Sequence, residues 1–107
     1  MIAHPMGVHL GKREACHIDL KTICRAAVDH NVYLEINAFP FRLDLNSANA
    51  YFAKQQGVKF AINTDAHHVD HMEYMKYGIK VARRAWLTKE DVLNTKTADQ
   101  LLKALKK

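Results

Sequence analysis

In the first half of the chain, apolar and polar residues alternate first with the period of a helix, and a run typical of a strand comes next. After Asp19, a suitable N-cap, apolar residues recur every three or four positions, which predicts a helix to about His30 with one buried face. The stretch 32–39 is rich in β-branched and aromatic residues and predicts a strand that Pro40 ends. The apolar positions of the helix are Leu20, Ile23, Cys24, Ala27 and Val28.

The second half of the chain continues this alternation of helices and strands. Asn46 or Ser47 caps a helix through Gln56, Gly57 suits its C-terminal end, and residues 58–65 predict another strand. A longer helix follows from residues 68–70 to about Arg84. Capping boxes at 88–91 and 97–100 predict two short helices at the end of the chain. The apolar positions expected on one side of the long helix are Met72, Met75, Ile79, Ala82 and Trp86.

With an opening strand at residues 2–3, the predicted order of elements is β-loop-α-β-α-β-α-α. Alternating β and α elements are typical of an α/β fold with parallel strands and helical crossovers. Active sites in such folds form at the carboxyl ends of the strands. Polar residues lie there on each predicted strand: His4 on the first, Asn37 on the second, and Asp65 with His67 on the third. We therefore expect these four residues at one edge of the sheet.

Asp65 and His67 have the chemistry of metal ligands. Residues two apart in an extended strand project to the same side, so their side chains are expected to reach one point in space. Carboxylate oxygen and imidazole nitrogen together suit several divalent cations. His4 is the best candidate for a third ligand. Glu35 and Asn37 share a strand face, either as site residues or as a hydrogen-bonded polar pair; the other histidines, taken singly, favour a structural role. These histidines are His9, His17, His30 and His71.

Composition narrows the class of protein and the kind of partner. The 107 residues are 49% hydrophobic, which indicates one globular domain or a piece of one. No apolar run suits a membrane span or a secretory signal peptide, so a soluble, cytoplasmic chain is expected. Cys24 on the helix and Cys16 in a loop are expected as reduced thiols. The net charge of +5 favours anionic partners such as nucleic acid or phosphorylated metabolites.

Two segments are candidates for contact with such anions. The loop at 6–14 carries two glycines and several basic residues, and it is either a phosphate-approaching loop or an ordinary connection. A basic stripe on the long helix is either a solvated face or a surface for a polyanion; it comprises Lys76, Lys80, Arg83 and Arg84.

Four segments of the chain, in this order, resemble one family closely. The segments are Ala3-His4-Pro5, then Glu35-Ile36-Asn37-Ala38 with Arg42-Leu43-Asp44-Leu45, then Asn63-Thr64-Asp65-Ala66-His67-His68, and finally the region from Tyr77 to Thr88. The family is the polymerase-and-histidinol-phosphatase (PHP) domain, in the version fused to bacterial and archaeal family X DNA polymerases. The resemblance covers essentially the whole chain, residues 1–107, as the C-terminal part of such a domain.

The resemblance implies a fold, a cofactor and an activity. PHP domains are distorted seven-stranded β/α barrels with a trinuclear site for divalent metal ions, often manganese or zinc. They hydrolyse phosphoesters, and in family X polymerases they are associated with 3′–5′ exonuclease and 3′-end processing. By this resemblance His4, Asp65 and His67 are metal ligands and catalytic residues. Asn37 and Arg42 match positions that suit phosphate or substrate contact, and His68 suits helix capping or phosphate contact.

Two departures from the family pattern affect these expectations. Met6 and His9 stand where relatives more usually have a small polar residue and a basic or apolar one, so the substrate contacts of that loop are open. The early His-x-His pair and further ligands of the family do not precede His4 in this sequence. The chain is therefore expected to be the last three or so β/α units of a larger barrel. In the cell it would work with the rest of the barrel and a polymerase domain in cis.

Three functions are compatible with these residues. The preferred one is hydrolysis of phosphodiesters at DNA 3′ ends, because the chain is basic and carries the Arg-Arg-Ala-Trp-Leu-Thr sequence at 83–88. The second is a phosphatase of a small phosphomonoester such as histidinol phosphate. The third is a DNA-binding or structural module without chemistry. Alone, the chain is expected to bind metal weakly and to self-associate through unpaired strand edges.

Overall fold

The computed structural model describes residues 1–7 and 19–106. The predicted glycine-bearing loop beyond Gly7, with His9, Cys16 and His17, lies outside the described residues. The described elements are α1 (Leu20–Asp29), β1 (Leu34–Asn37), α2 (Ser47–Gln55), β2 (Phe60–Asn63), a 3₁₀ segment (Val69–Tyr74), α3 (Met75–Arg84), two 3₁₀ turns (Lys89–Asp91 and Leu93–Thr95) and α4 (Ala98–Leu105).

The two strands form a parallel pair in which Leu34 lies opposite Phe60 and Asn37 opposite Asn63. A parallel bridge from Ile2 to Leu34 flanks β1, and another from Phe60 to Val92 flanks β2. The four extended segments therefore lie side by side in the order of the chain, with their carboxyl ends at the same edge. The α/β class with parallel strands and helical crossovers is confirmed. The seven-stranded barrel stays a prediction.

The core lies between the sheet and helices α1, α2 and α3. Both strands are almost wholly buried, as expected of parallel strands covered by helices. On α1, Cys24 and Ala27 are buried as the apolar period predicted, and burial raises the pKa of the Cys24 thiol. The largest fully buried apolar side chains are Phe60, Leu34, Ile36, Leu45 and Val58.

The face through which helix α3 packs on the sheet coincides only in part with the one predicted, since of the predicted residues Ala82 is buried and Met75 packs against the core. The residues that face the core are small: Gly78 is buried against Ile62 and Ala38, and Ala82 and Ala85 are buried further along. The prediction was wrong for three apolar residues, since Met72, Ile79 and Trp86 are 62%, 41% and 74% exposed. Val69–Tyr74 is 3₁₀ rather than α-helical, which changes the angle between successive side chains, and Trp86 lies beyond the helix end.

Capping explains the element ends that the sequence predicted well. The side chains of Asp19 and Asn46 accept hydrogen bonds from Lys21 N and Asn49 N at the starts of α1 and α2. Gly57, just after α2, has a φ of +92° that glycine adopts without strain. The capping boxes at 88–91 and 97–100 are both formed, although the first begins only a 3₁₀ turn. No helix in the described residues is both long and apolar enough to cross a membrane.

Asp91 ties the first capping box to the neighbouring helix and strand. Its buried carboxylate accepts from Thr88 N at 2.8 Å and lies 3.3 Å from Lys59 Nζ and 3.7 Å from Lys54 Nζ. Burial by itself raises the pKa of this carboxyl. The hydrogen bonds from Thr88 and Lys59 outweigh burial, and the net pKa lies below the ordinary value of 3.8.

We expect Asp91→Asn to lower the free energy of unfolding by about 1 to 2 kcal/mol at pH 7, because the charge-assisted hydrogen bonds are weakened. A carboxyl with a depressed pKa in the folded state stabilises the fold above its unfolded pKa. That contribution is lost as the pH falls through the folded pKa, below about 4. Urea denaturation between pH 7 and pH 3 measures both effects, with the exposed Asp99→Asn as the control. Equal pH profiles for wild type and Asp91→Asn would contradict this assignment.

Candidate functional site

A buried carboxylate joins three segments at the carboxyl edge of the sheet. Glu35 Oε2 accepts from His4 N at 2.7 Å and from Asn37 Nδ2 at 3.2 Å. Its Oε1 accepts from Asn63 Nδ2 at 2.9 Å. The opening segment and the ends of β1 and β2 are thereby held together. This geometry gives Glu35 the structural role of a hydrogen-bonded polar group.

Asn37 extends the network from the sheet to the segment after β2. Its Nδ2 also donates to Asp65 Oδ2 at 3.2 Å, and its Oδ1 accepts from Phe39 N at 3.0 Å. Arg42 reaches the same carboxylate from the following loop, with Nε 3.6 Å from Asp65 Oδ2. Both side chains of this ion pair are partly exposed. The structure therefore brings Asn37 and Asp65 together, as their positions at the strand ends predicted, and adds Arg42 from the loop after β1.

His67 is oriented by the backbone of Asp65. Its ring Nδ1 lies 2.8 Å from the carbonyl oxygen of Asp65. Because a carbonyl oxygen only accepts, His67 donates from Nδ1, and the lone pair of the neutral ring is on Nε2. A backbone carbonyl that holds one ring nitrogen in this way is a common partner of metal-binding histidines.

The expected extended geometry from Asp65 to His67 was wrong. Strand β2 ends at Asn63, and Asp65 has a φ of +56°, in the left-handed region. The two residues are held near each other by the turn that closes the hydrogen bond, rather than by strand alternation.

His4 is held at the same edge of the sheet by the hydrogen bond that its main-chain N–H donates to Glu35. It also has a positive φ, of +28°, as does Leu43 in the nearby loop, at +44°. Non-glycine residues in this region cost free energy and cluster at ligand sites in many proteins. Three hydrogen bonds in series lead from His4 N through Glu35 and Asn37 to Asp65 Oδ2.

The donor chemistry fits a divalent cation, but the described residues do not complete a site. Within residues 1–7 and 19–106, no three histidine, cysteine, aspartate or glutamate side chains form a group that could hold a metal ion. Asp65 and His67 carry side chains of the kind that bind divalent cations, and the described residues do not add a third such side chain to them. The three-ligand set of His4, Asp65 and His67 stays a prediction.

The other predicted phosphate contacts are separate from this network. His68 caps the 3₁₀ segment, where its Nδ1 accepts from Asp70 N at 3.2 Å, so the capping alternative for this residue is confirmed. The basic stripe on α3 is exposed to solvent, and Lys76 Nζ lies 5.3 Å from the centre of the Tyr77 ring. The remaining members of that stripe are Lys80, Arg83 and Arg84.

Sequence reasoning missed the contribution of His71 and its aromatic neighbours. His71 Nδ1 accepts from His67 N at 3.1 Å, which links it directly to a candidate ligand. Its ring stacks on Tyr74 with 5.2 Å between centroids and meets Phe39 edge-on at 5.4 Å. The one available signal was that His71 follows the Asp-x-His sequence by four residues. Taken singly, this histidine favoured a structural role.

The sequence has relatives among known proteins. The sequence matches no protein-family model. It is 38% identical over all 107 residues to the Bacillus subtilis (strain 168) "DNA polymerase/3′-5′ exonuclease PolX", a PHP-containing protein. The resemblance predicted from the sequence is therefore confirmed. The chain fits part of a PHP domain of the PolX type.

Further relatives are named as phosphatases. Two proteins called "probable phosphatase", from Thermoanaerobacter sp. (strain X514) and Thermoanaerobacter pseudethanolicus, are 31% identical over an alignment of 84 residues that covers 73% of this chain. The chain spans 19% of the length of the PolX relative and 34% of each phosphatase. The names of these relatives thus describe a DNA polymerase/3′-5′ exonuclease and two probable phosphatases.

Proposed function

We propose that this PHP-type chain forms part of a metal-dependent phosphoesterase that hydrolyses phosphodiesters at DNA 3′ ends in the intact protein. The observation that carries the proposal is the Asp65–His67 turn, in which a backbone carbonyl holds the imidazole with its lone pair on Nε2. The exonuclease named among the relatives supports the choice of DNA. The net charge of +5 supports an anionic substrate.

The residues of this chain would bind and orient the reacting groups. The chemistry that divalent ions, manganese or zinc, would supply there is a water of lowered pKa and stabilisation of charge on the phosphate. Asp65 and His67 would be ligands, with His4 and residues from the rest of the barrel completing the set. Asn37 holds the Asp65 carboxylate in place through the bond from Nδ2. Arg42, beside that carboxylate, would contact a phosphate oxygen of the substrate.

The experiment compares variants of the intact protein on a 5′-labelled single-stranded oligodeoxynucleotide in the presence of Mn²⁺. We expect Asp65→Asn and His67→Gln each to lower turnover about 100-fold or more, since losing even an outer partner of a metal ligand costs 10- to 100-fold. Calorimetric titration with Mn²⁺ should show weakened binding in the same variants. The exposed His30→Gln, at the end of α1, is the matched control and should keep full activity.

Two outcomes would remove the proposal. Absence of Mn²⁺ binding by the intact protein would contradict a metal-dependent reaction. Full activity of Asp65→Asn would show that this residue takes no part in the site.

A second candidate function is supported by the Thermoanaerobacter relatives named as phosphatases. In this case the same site would hydrolyse a small phosphomonoester. Turnover of p-nitrophenyl phosphate against that of the oligonucleotide decides between the two substrate classes. An inactive module that only binds DNA is the third possibility, and it predicts no turnover of either substrate.

The chain by itself is expected to be a poor enzyme, because the described residues do not assemble a complete ligand group. The rest of a PHP barrel and a polymerase domain in cis are its proposed partners. The flanks of the sheet, where Ile2 and Val92 make single bridges, are the edges through which the isolated chain would self-associate.

A further inference from the structure

A row of aromatic side chains begins beside the candidate site and runs along the 3₁₀ segment onto α3. Phe39 lies 5.7 Å from Phe41, 5.4 Å from His71 and 5.6 Å from Tyr74, measured between ring centroids. Tyr74 lies 5.9 Å from Tyr77. We call these five residues the aromatic row. Their tilted and edge-on arrangements are those that aromatic rings prefer.

The aromatic row is joined to the candidate site at two points. His71 Nδ1 accepts from the backbone N–H of His67. Phe41 directly precedes Arg42, and Arg42 lies 3.6 Å from the Asp65 carboxylate. The aromatic row therefore adjoins the segments that carry Arg42, Asp65 and His67.

The row is accessible and is flanked by positive charge. Phe41 is 57% exposed, and the other four members are only partly buried. At the far end, Lys76 Nζ lies over the Tyr77 ring, and Lys80 is exposed one turn further along α3. Exposed rings interspersed with cations are the pattern by which proteins bind single-stranded nucleic acid, with bases stacked on rings and phosphates near the cations.

We infer that the aromatic row is the base-binding platform for a single-stranded DNA 3′ end, with Phe41 stacking on a base next to the phosphate to be cleaved. This inference rests on the proposed phosphoesterase function and adds the part of the site that would select the substrate. A small phosphomonoester has no neighbouring base to stack on Phe41. The row would therefore favour oligonucleotides over small phosphate esters.

The test measures binding apart from hydrolysis. The intact protein carrying Asp65→Asn, without divalent metal, is titrated with a fluorescent single-stranded oligodeoxynucleotide and with the same oligonucleotide abasic at its last two 3′ positions. Adding Phe41→Ala should weaken binding of the complete oligonucleotide by roughly 5- to 150-fold, the range for loss of one stacked base. Binding of the abasic oligonucleotide should change less than twofold. Phe41→Trp should restore the affinity, and Phe41→Leu should not.

Controls separate stacking from structure. Tyr51→Ala removes an exposed aromatic ring of α2 outside the row and should leave binding unchanged. In the Asp65→Asn background, the midpoint of thermal unfolding shows whether the Phe41→Leu variant remains folded. An equal loss of binding for both oligonucleotides would overturn the inference.

The outcomes also separate the inference from the proposed function. Suppose that the protein binds the oligonucleotide in a way that depends on Phe41 and on the terminal bases, but does not hydrolyse it. This result would support the stacking platform and contradict the proposed exonuclease function. Equal hydrolysis by wild type and Phe41→Ala at subsaturating oligonucleotide concentrations would support the proposed function and contradict the stacking platform.

Discussion

Replacing Glu35 by alanine should lower the free energy of unfolding by about 3 to 5 kcal/mol, because three hydrogen bonds of about 1 to 1.5 kcal/mol each lose their common acceptor. Glu35 is buried and accepts hydrogen bonds from His4 N, Asn37 Nδ2 and Asn63 Nδ2. The substitution leaves all three donors without this acceptor inside the protein. Since small domains have only about 5 to 15 kcal/mol of stability in total, this loss would be a large part of the stability of the fold.

Urea denaturation of the chain, followed by circular dichroism, measures the effect at 15 °C. Glu35→Gln is the second variant to compare. It keeps one acceptor oxygen but turns an NH₂ group towards the hydrogen-bond donors, so we expect its stability to lie between those of wild type and Glu35→Ala. The exposed Glu73→Ala is the matched control and should change stability by less than about 0.5 kcal/mol. A loss below 1 kcal/mol for Glu35→Ala would show that the carboxylate does not hold the three segments together.

Replacing Gly78 by alanine should destabilise the fold by about 2 to 3 kcal/mol, although alanine is the better helix former. A Cβ at Gly78 would lie 2.5 Å from Ile62 Cγ2 and 2.9 Å from Ala38 Cβ, closer than real Cβ contacts come. Helix α3 would have to move away from the sheet, or the two strand residues would have to shift. Because Ala38 and Ile62 adjoin Asn37 and Asn63, the shift would also disturb the candidate site.

A double-mutant cycle tests the proposed contact directly. Ile62→Ala removes the Cγ2 atom nearest to the new Cβ, so Gly78→Ala should cost less in that background than in wild type. Lys80→Ala, at an exposed position of the same helix, is the control and should be close to neutral. A stabilising Gly78→Ala would mean that α3 does not pack this closely on the sheet.

Local sequence patterns predicted most of the element bounds. Asp19, Asn46 and the two capping boxes lie where the structure begins α1, α2, the turn after Thr88 and α4. Capping depends on hydrogen bonds between residues two or three apart, so the information is contained in short stretches of sequence. The predicted strands were longer than β1 and β2, because strand ends depend on pairing with distant segments.

The positions of polar residues at the strand ends also predicted which edge of the sheet carries the candidate site. Parallel strands with helical crossovers place their carboxyl ends together, and the pattern of elements was sufficient to show that. Asn37, Arg42 and Asp65 do meet there.

What the sequence by itself determined is therefore the α/β class, the helix starts, the resemblance to a PHP domain and the edge at which the polar residues gather. The tertiary structure alone decided the contacts within that edge. The bonds from Glu35 to His4 and Asn63 join residues 31 and 28 positions apart, and Phe39 meets His71 across a similar distance in sequence. Such pairings leave no local periodicity, because they depend on how whole elements pack. The close approach of α3 through Gly78, which exposes Ile79, has the same origin.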